Sequence, residues 1–179
     1  AAAVVWERFP YFNNDLVRQT LLGTARDIGA PGVDPVFGHG VLDVARALQG
    51  PASFGWGDVT VNVDRLGLDS VWRNDISGTG GLVKQGPGAL GLAGRNTYTG
   101  ATRIERGTLA LQAASLTSDV TLVAQAGQPT GAALQFMGGT SRIAGRVDNG
   151  ASVILISPGT SARIDGDYIQ RDGAQMVVA

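Results

Sequence analysis

The chain has 179 residues and a formal net charge of −1, with 44% hydrophobic residues, only 16% charged residues and no cysteine. Its one lysine, Lys84, and the absence of any Lys/Arg run exclude the basic stripe that a phosphate backbone requires, so no nucleic-acid partner is expected. Disulfides and thiolate metal sites are excluded, and no stretch of about 18 apolar residues could cross a membrane as a helix. Globular chains carry roughly 25% charged residues. Here hydroxyls, amides and 27 glycines supply the polarity, as in long β architectures whose short side chains stack without repulsion.

In chain order, Ala1 to Phe9 (AAAVVWERF) predicts the end of a buried helix, because alanine favours helix and Ala1 to Val5 offer no polar face. Pro10 stops it. A second helix follows, with Asn13 or Asn14 as N-cap, Asp15 in its first turn, Leu16, Val17, Thr20 and Leu21 on one face, and Gly23 as its stop. After a Gly/Pro loop, Val41, Leu42, Val44, Ala45 and Leu48 predict a short amphipathic helix with Asp43 near its start and Arg46 near its end.

The pattern changes near residue 50. From Asp58 onward the segments are short, alternate with period two and are separated by glycine or small polar clusters, which indicates an all-β fold. Val59, Val61 and Val63 share one face, as do Ile104, Leu109 and Leu111. GGLVKQGPGALGLAG (Gly80 to Gly94) parallels ATRIERGTLALQA (Ala101 to Ala113). Each has an aliphatic strand, a polar pair (Lys84-Gln85, then Glu105-Arg106), a glycine and a Leu-x-Leu strand. SLTSDVTLVAQ and SRIAGRVDNGASVILI continue the rhythm more loosely. A recurring strand-turn-strand unit favours a β-helix over a sandwich.

Several patterns imitate catalytic or binding motifs. Gly139–Ser141 and Gly159–Ser161 are Gly-Thr-Ser triplets, but strand-like residues follow each serine, so both are expected as turns. Gly86 to Gly91 fits G-x-G-x-x-G, yet Pro87 removes an N–H donor and a strand follows where a helix is needed. Asp58, Asp64, Asp69, Asp75, Asp165, Asp167 and Asp172 do not stack into a register that glycan cleavage would use, and they read as solvated turn carboxylates. Calcium-loop patterns are missing. Trp6, Trp56 and Trp72 read as packing residues, with Trp56 and Phe54 wedged at the junction. Asn96 and Tyr98 read as a stacked turn feature with the Asn96 amide bonding along the coil axis.

Two resemblances cover nearly the whole chain. AAAVVWERFPYFNNDLVRQTLLGTARDIG followed by VFGHGVLDVARAL, with Gly38, His39, Gly40, Val41, Leu42, Asp43 and Val44, resembles the C-terminal end of a subtilisin-like serine protease domain. Gly78 to Leu111, with the N-T-Y-T-G-x-T core at Asn96 to Thr102 and G-T-L at Gly107 to Leu109, is similar to the passenger repeats of autotransporters. The terminal GDYIQRDGAQMVVA (Gly166 to Ala179) is similar to a late passenger strand pair.

The resemblances imply a mainly β fold, a right-handed parallel β-helix preceded by a small helical remnant of an α/β subtilisin-like domain. The implied layout is residues 1–49 as protease helices, 50–57 as a junction and 58–179 as a β-helical stalk. Residues 1–49, separated from their sheet, are expected to be the less well packed part. The parent protein would be a secreted subtilisin-like serine endopeptidase on a Gram-negative cell surface, outer-membrane anchored or released. Its partners would be protein substrates, an upstream protease segment and a downstream β-barrel. The family's nucleophile, Asp and His motifs belong upstream, so no catalytic, cofactor-binding or metal residue is assigned here, no cofactor is expected, and the chain alone is expected to be inactive. In the family pattern the position of His39 serves packing rather than catalysis. The alternative reading is a β-helical adhesin or binding module whose helical start only caps the open end of the solenoid.

Overall fold

A computed structural model describes residues 1–64, 70–123, 131–150 and 152–178. Three short helices precede a solenoid of parallel strands. Helix α1 (Ala2–Arg8) leads to α2 (Asn14–Thr24), where the Asn13 side chain accepts the Leu16 N–H at 2.8 Å as an N-cap. Gly23 does not stop α2, which runs one residue further and ends at Ala25 in extended conformation. Helix α3 (Val44–Ala47) is shorter than the sequence pattern implies. Asp43 caps it by accepting the Arg46 N–H, and Val41 instead bridges to Arg26 while Leu42 stays exposed.

The solenoid has three faces. The first stacks β2 (Val59–Asn62), β5 (Leu82–Gln85), β8 (Thr102–Ile104), β11 (Val120–Leu122), β14 (Val147–Asn149) and β17 (Tyr168–Gln170). On the second lie β3 (Ser70–Trp72), β6 (Ala89–Leu92), β9 (Gly107–Gln112), β12 (Ala132–Met137), β15 (Val153–Ile156) and β18 (Gln175–Val178). The third carries β7 (Arg95–Asn96), β10 (Ser115–Leu116), β13 (Thr140–Ile143) and β16 (Ser161–Ile164), while β1 (Ser53–Phe54) pairs with β4 (Ser77–Gly78) above them. The Thr97 N–H donates to Ile76 O at 2.7 Å and the Thr99 N–H to Gly78 O at 3.0 Å, which joins these last two strips into one continuous side. Every ladder is parallel, so each coil hydrogen-bonds only to the coil before it and the coil after it.

Register turns this ladder into a core. Val59, Leu82, Thr102, Val120, Val147 and Tyr168 form one inward column, so successive coils take 23, 20, 18, 27 and 21 residues. Leu90, Leu109, Leu134 and Ile154 form another, and Trp72, Leu92, Leu111, Phe136 and Ile156 a third. All but Tyr168 and Ile156 are buried, and each buried aliphatic side chain contributes roughly 1.5–3 kcal/mol relative to exposure.

The helices share this core. Val5, Phe9, Phe12, Leu16 and Val17 join the same apolar cluster as the solenoid columns. Phe9 stacks on Phe12 at 4.7 Å, Phe12 meets Trp72 edge-on at 5.8 Å, and Phe54 lies between Trp72 and Tyr98. The Tyr11 hydroxyl bonds the Ser70 hydroxyl and accepts the Trp72 indole N–H at 3.0 Å, and burial pushes its pKa up to about 12. The inner side of the helical segment is thus well packed, against expectation, because the first coil supplies an apolar end to cover. Its outer side is not: α1 buries only Val5, although an all-buried helix was expected, and Val33, Val36 and Phe37 in the following loop are exposed.

Coils approach closely at their corners. A Cβ at Gly100 would overlap the backbone of Gly80 and Gly81 in the preceding coil. Gly100→Ala is expected to destabilise the protein by on the order of 3 kcal/mol. Thr99→Ala, at an exposed neighbour, should stay within about 0.5 kcal/mol of wild type. Urea unfolding of the two variants checks this.

Candidate functional site

The segment Leu82 to Leu111 holds the most unusual chemistry of the solenoid. In Leu-Val-Lys-Gln the alternation puts Lys84 in phase with Leu82, facing inward between Val61 and Ile104. The only lysine of the chain is therefore fully buried. Its ammonium donates to Gln85 O at 2.8 Å, Gly86 O at 2.9 Å and Arg106 O at 3.0 Å. Burial lowers its pKa to about 8.

This corrects the repeat alignment drawn from sequence. Lys84 is the counterpart of Ile104, and Gln85 that of Glu105, because the ladder pairs Leu82 with Thr102. Outside the ladder, Gln85 Nε2 donates to Glu105 Oε2 at 2.8 Å, and Arg103 Nε donates to Glu105 Oε1 at 2.8 Å. The Arg103 guanidinium holds the Glu105 carboxyl below its usual range, with Gln85 assisting.

The next corner has a polar interior. Tyr98 is fully buried, and its hydroxyl lies 2.6 Å from Thr102 Oγ1, which in turn lies 2.8 Å from Ser118 Oγ in the following coil. Burial pushes Tyr98 up to about 12. Asn96 Nδ2 donates to Gly94 O at 2.9 Å and to Ser115 O of the next coil at 3.2 Å, the axial bond expected from its position.

The motif look-alikes take structural places. Ser141 is fully buried, accepts the Ala114 N–H at 3.2 Å and points into the solenoid from β13. Ser161 lies exposed on β16, and no histidine accompanies either serine. Gly86 to Gly88 form a corner, and the rest of the motif, Ala89 to Gly91, lies in strand β6. His39 packs its ring 5.7 Å from that of Trp56, which sits beside Gly23 of α2. Trp6 donates its indole N–H to Phe12 O at 2.7 Å, and Trp72 is core.

Three of the corner carboxylates act as caps between coils. Asp58 accepts the Gly81 N–H, Asp75 the Arg95 N–H and Asp119 the Arg146 N–H, at 2.7, 2.7 and 2.8 Å. Two further acids pair with arginine. Arg163 and Arg142 both bond Asp165 and hold it below the usual range, and Arg171 does the same to Asp148 through two bonds. Asp167 and Asp172 are exposed, Asp64 lines an open cleft, and Asp69 falls outside the described residues. Among the described residues no three His, Cys, Asp or Glu side chains gather as a metal site would require.

What remains is surface relief. A cleft of about 290 Å³ separates α2 from the first coil, lined by Asn13, Asp15, Gln19, Trp56 and Asp58. One of about 370 Å³ flanks the Lys84 corner at Asn62, Gln85 and Glu105. A third, of about 240 Å³, lies at the edge of the third face between Arg73, Arg95 and Arg142. Among the described residues none of these three brings a nucleophile, a base and an orienting acid together.

Fold and surface define a parallel β-solenoid whose coils meet a helical element at one end. Residues 82–111 match the passenger-associated-transport-repeat family. The chain is 53% identical over 113 residues to the Neisserial autotransporter lipoprotein NalP of Neisseria meningitidis serogroup B, across 62% of this chain and 10% of that protein. It is 34% identical over 145 residues to an extracellular serine protease of Serratia marcescens, across 62% and 14%. Serotype-specific antigen 1 of Mannheimia haemolytica is 38% identical over 109 residues, across 61% and 11%. The chain thus carries an autotransporter passenger repeat and is homologous to segments of these proteins, spanning about a tenth of their length.

The buried ammonium gives stability a pH dependence. Lys84 has a folded pKa of about 8 against an ordinary 10.5, so between these values the unfolded chain binds more protons and stability rises with pH. Wild type should gain on the order of 1–2 kcal/mol between pH 8 and pH 9.5. Lys84→Met should lose that gain. The buried tyrosines act in the opposite sense only above their ordinary pKa of 10, so urea midpoints at pH 7.5 and 9.5 isolate the lysine.

Proposed function

We propose that this chain is the junction and first coils of a secreted subtilisin-like serine endopeptidase autotransporter. In this reading the parent hydrolyses peptide bonds at the surface of a Gram-negative cell through a Ser-His-Asp triad upstream of Ala1. Residues 1–49 complete the protease core, 50–57 form the junction and 58–179 the stalk, with a membrane β-barrel downstream. The observation that carries it is the autotransporter repeat at residues 82–111 in a chain whose relatives include an extracellular serine protease.

The helical segment supports the same assignment. Its inner side packs on the first coil, while Val4, Trp6, Val33, Val36, Phe37, Val41 and Leu42 leave apolar surface uncovered on the other. A protease sheet would bury that surface. Among the described residues His39 packs on Trp56, and Ser141 is buried far along the solenoid, which fits a nucleophile and base that lie elsewhere in the parent.

The adhesin reading has one observation in its favour. The packing of Tyr11 and Phe12 on Ser70 and Trp72 covers the end of the solenoid, a role that needs no catalysis.

A serine-reactive fluorophosphonate separates the two. Residues 1–179 should remain unlabelled, and a form extended upstream through the whole protease domain should take up one probe and hydrolyse casein. Serine-to-alanine replacement at the upstream nucleophile should abolish both. An extended form that folds yet neither labels nor cleaves would leave the adhesin reading standing.

A further inference from the structure

The third face carries an outward column as regular as the inward ones. The ladder places Arg95, Ser115, Arg142 and Arg163 in one register on successive coils. Strands in a sheet lie about 4.8 Å apart. Arg95 and Arg142 are therefore separated by two rungs, about 9.6 Å, with only a serine between them. Arg73 adds a third guanidinium at the lip of the same groove, whose volume is about 240 Å³.

The floor is built from small residues, Ala93, Gly94, Ala113, Ala114 and Ser115. Ala113 adopts φ +50°, alone among the described non-glycine residues in the left-handed region. Such a conformation costs about 1 kcal/mol or more and is held only where the surroundings enforce it.

The charges within the groove do not cancel. Asp75 sits at one end with its carboxylate on the Arg95 N–H. Asp165 lies at the other, shared by Arg142 and Arg163 through their Nε atoms. Three guanidinium groups, of Arg73, Arg95 and Arg142, thus line the groove against the one carboxylate of Asp75, and among the described residues the guanidinium groups of Arg73 and Arg95 pair with no acid. The terminal nitrogens of the Arg142 fork remain open to solvent, its side chain being 59% exposed. Guanidinium forks at a fixed spacing match planar anions repeated along a stiff strand.

We propose that this groove binds a linear polyanionic polysaccharide, with Arg95 and Arg142 each gripping a sulfate or carboxylate and the sugar between them lying over Ser115. The occupant follows from the shape and charge of the surface. The groove carries Arg95 and Arg142 on either side of the Ser115 rung and Arg73 at its lip, over a floor of small residues. The net charge of −1 makes non-specific attraction to polyanions weak, so binding depends on these positions.

The test is binding of the 179-residue chain to immobilised heparin at low and at physiological salt. Salt-sensitive binding is expected, with none to neutral dextran. Arg95→Gln and Arg142→Gln should each weaken it about tenfold, the usual worth of one charge-assisted contact. Arg106→Gln, on another corner, should change it less than twofold. Ser115→Glu would set a carboxylate between the two arginines and should abolish binding while leaving the melting temperature unchanged or raised. Wild-type affinity in the Arg95 and Arg142 variants would overturn the proposal. So would equal affinity for a single-stranded oligodeoxynucleotide of matched charge, which would make the surface a general cation exchanger.

Discussion

The parallel hydrogen-bonded ladder between successive coils is the constraint on which everything else rests. It fixes each residue above one partner and below another, so any side chain is repeated or answered at a rung spacing of about 4.8 Å. Inside, this makes columns such as Leu90, Leu109, Leu134 and Ile154, in which each side chain packs on two neighbours of similar size. At the corners it brings backbone against backbone, which is why Gly100 carries no side chain. Outside, it aligns side chains that stand 20 and 27 residues apart in the chain, as with Arg95, Ser115 and Arg142.

A ladder of this kind tolerates polar groups inside only if each finds a partner along the axis. Asn96 bonds the carbonyl of Ser115 one coil on, and Thr102 links Tyr98 to Ser118. Lys84 is the extreme case. Its stem fills a column position that Val61 and Ile104 fill above and below, and its ammonium turns to three carbonyls at the corner. Removing the ammonium would leave that ring of acceptors without its donor, whereas keeping it costs desolvation of a charge. The site is thus a fixed internal cation that ties the second coil to the third through Arg106 O.

How much of this was legible depends on whether the signal was local. The alternation of Val59, Val61 and Val63 and the Leu-x-Leu strands declared a β-solenoid, the N-cap of the second helix was narrowed to Asn13 or Asn14, and Asp43 marked the start of the third. The N-T-Y-T-G-x-T core declared the repeat family. Register was not local. Coil lengths vary from 18 to 27 residues, so matching Lys84-Gln85 to Glu105-Arg106 by charge set the lysine opposite Glu105, one residue away from its true partner. The phase of Leu82 and Lys84 would have corrected it, since residues two apart on a strand share a face. The arginine column left no trace in the sequence, because its members become neighbours only after unequal coils are wound. Val41 and Leu42 misled for a related reason: their apolar character fitted a helix, but a bridge to Arg26 took the backbone first.

The two ends of the solenoid answer the same problem differently. A stack of coils leaves one apolar cross-section open at each end, and an open end invites another chain to add on. At the helical end the problem is solved by aromatic rings: Phe9, Phe12 and Trp72 continue the interior column beyond the first coil, and the Arg73 N–H and Asn74 amide bond back to Gln49, Arg46 and Gly50. At the other end Met176, Val177 and Val178 are exposed on β18, where no later strand of the chain covers them among the described residues.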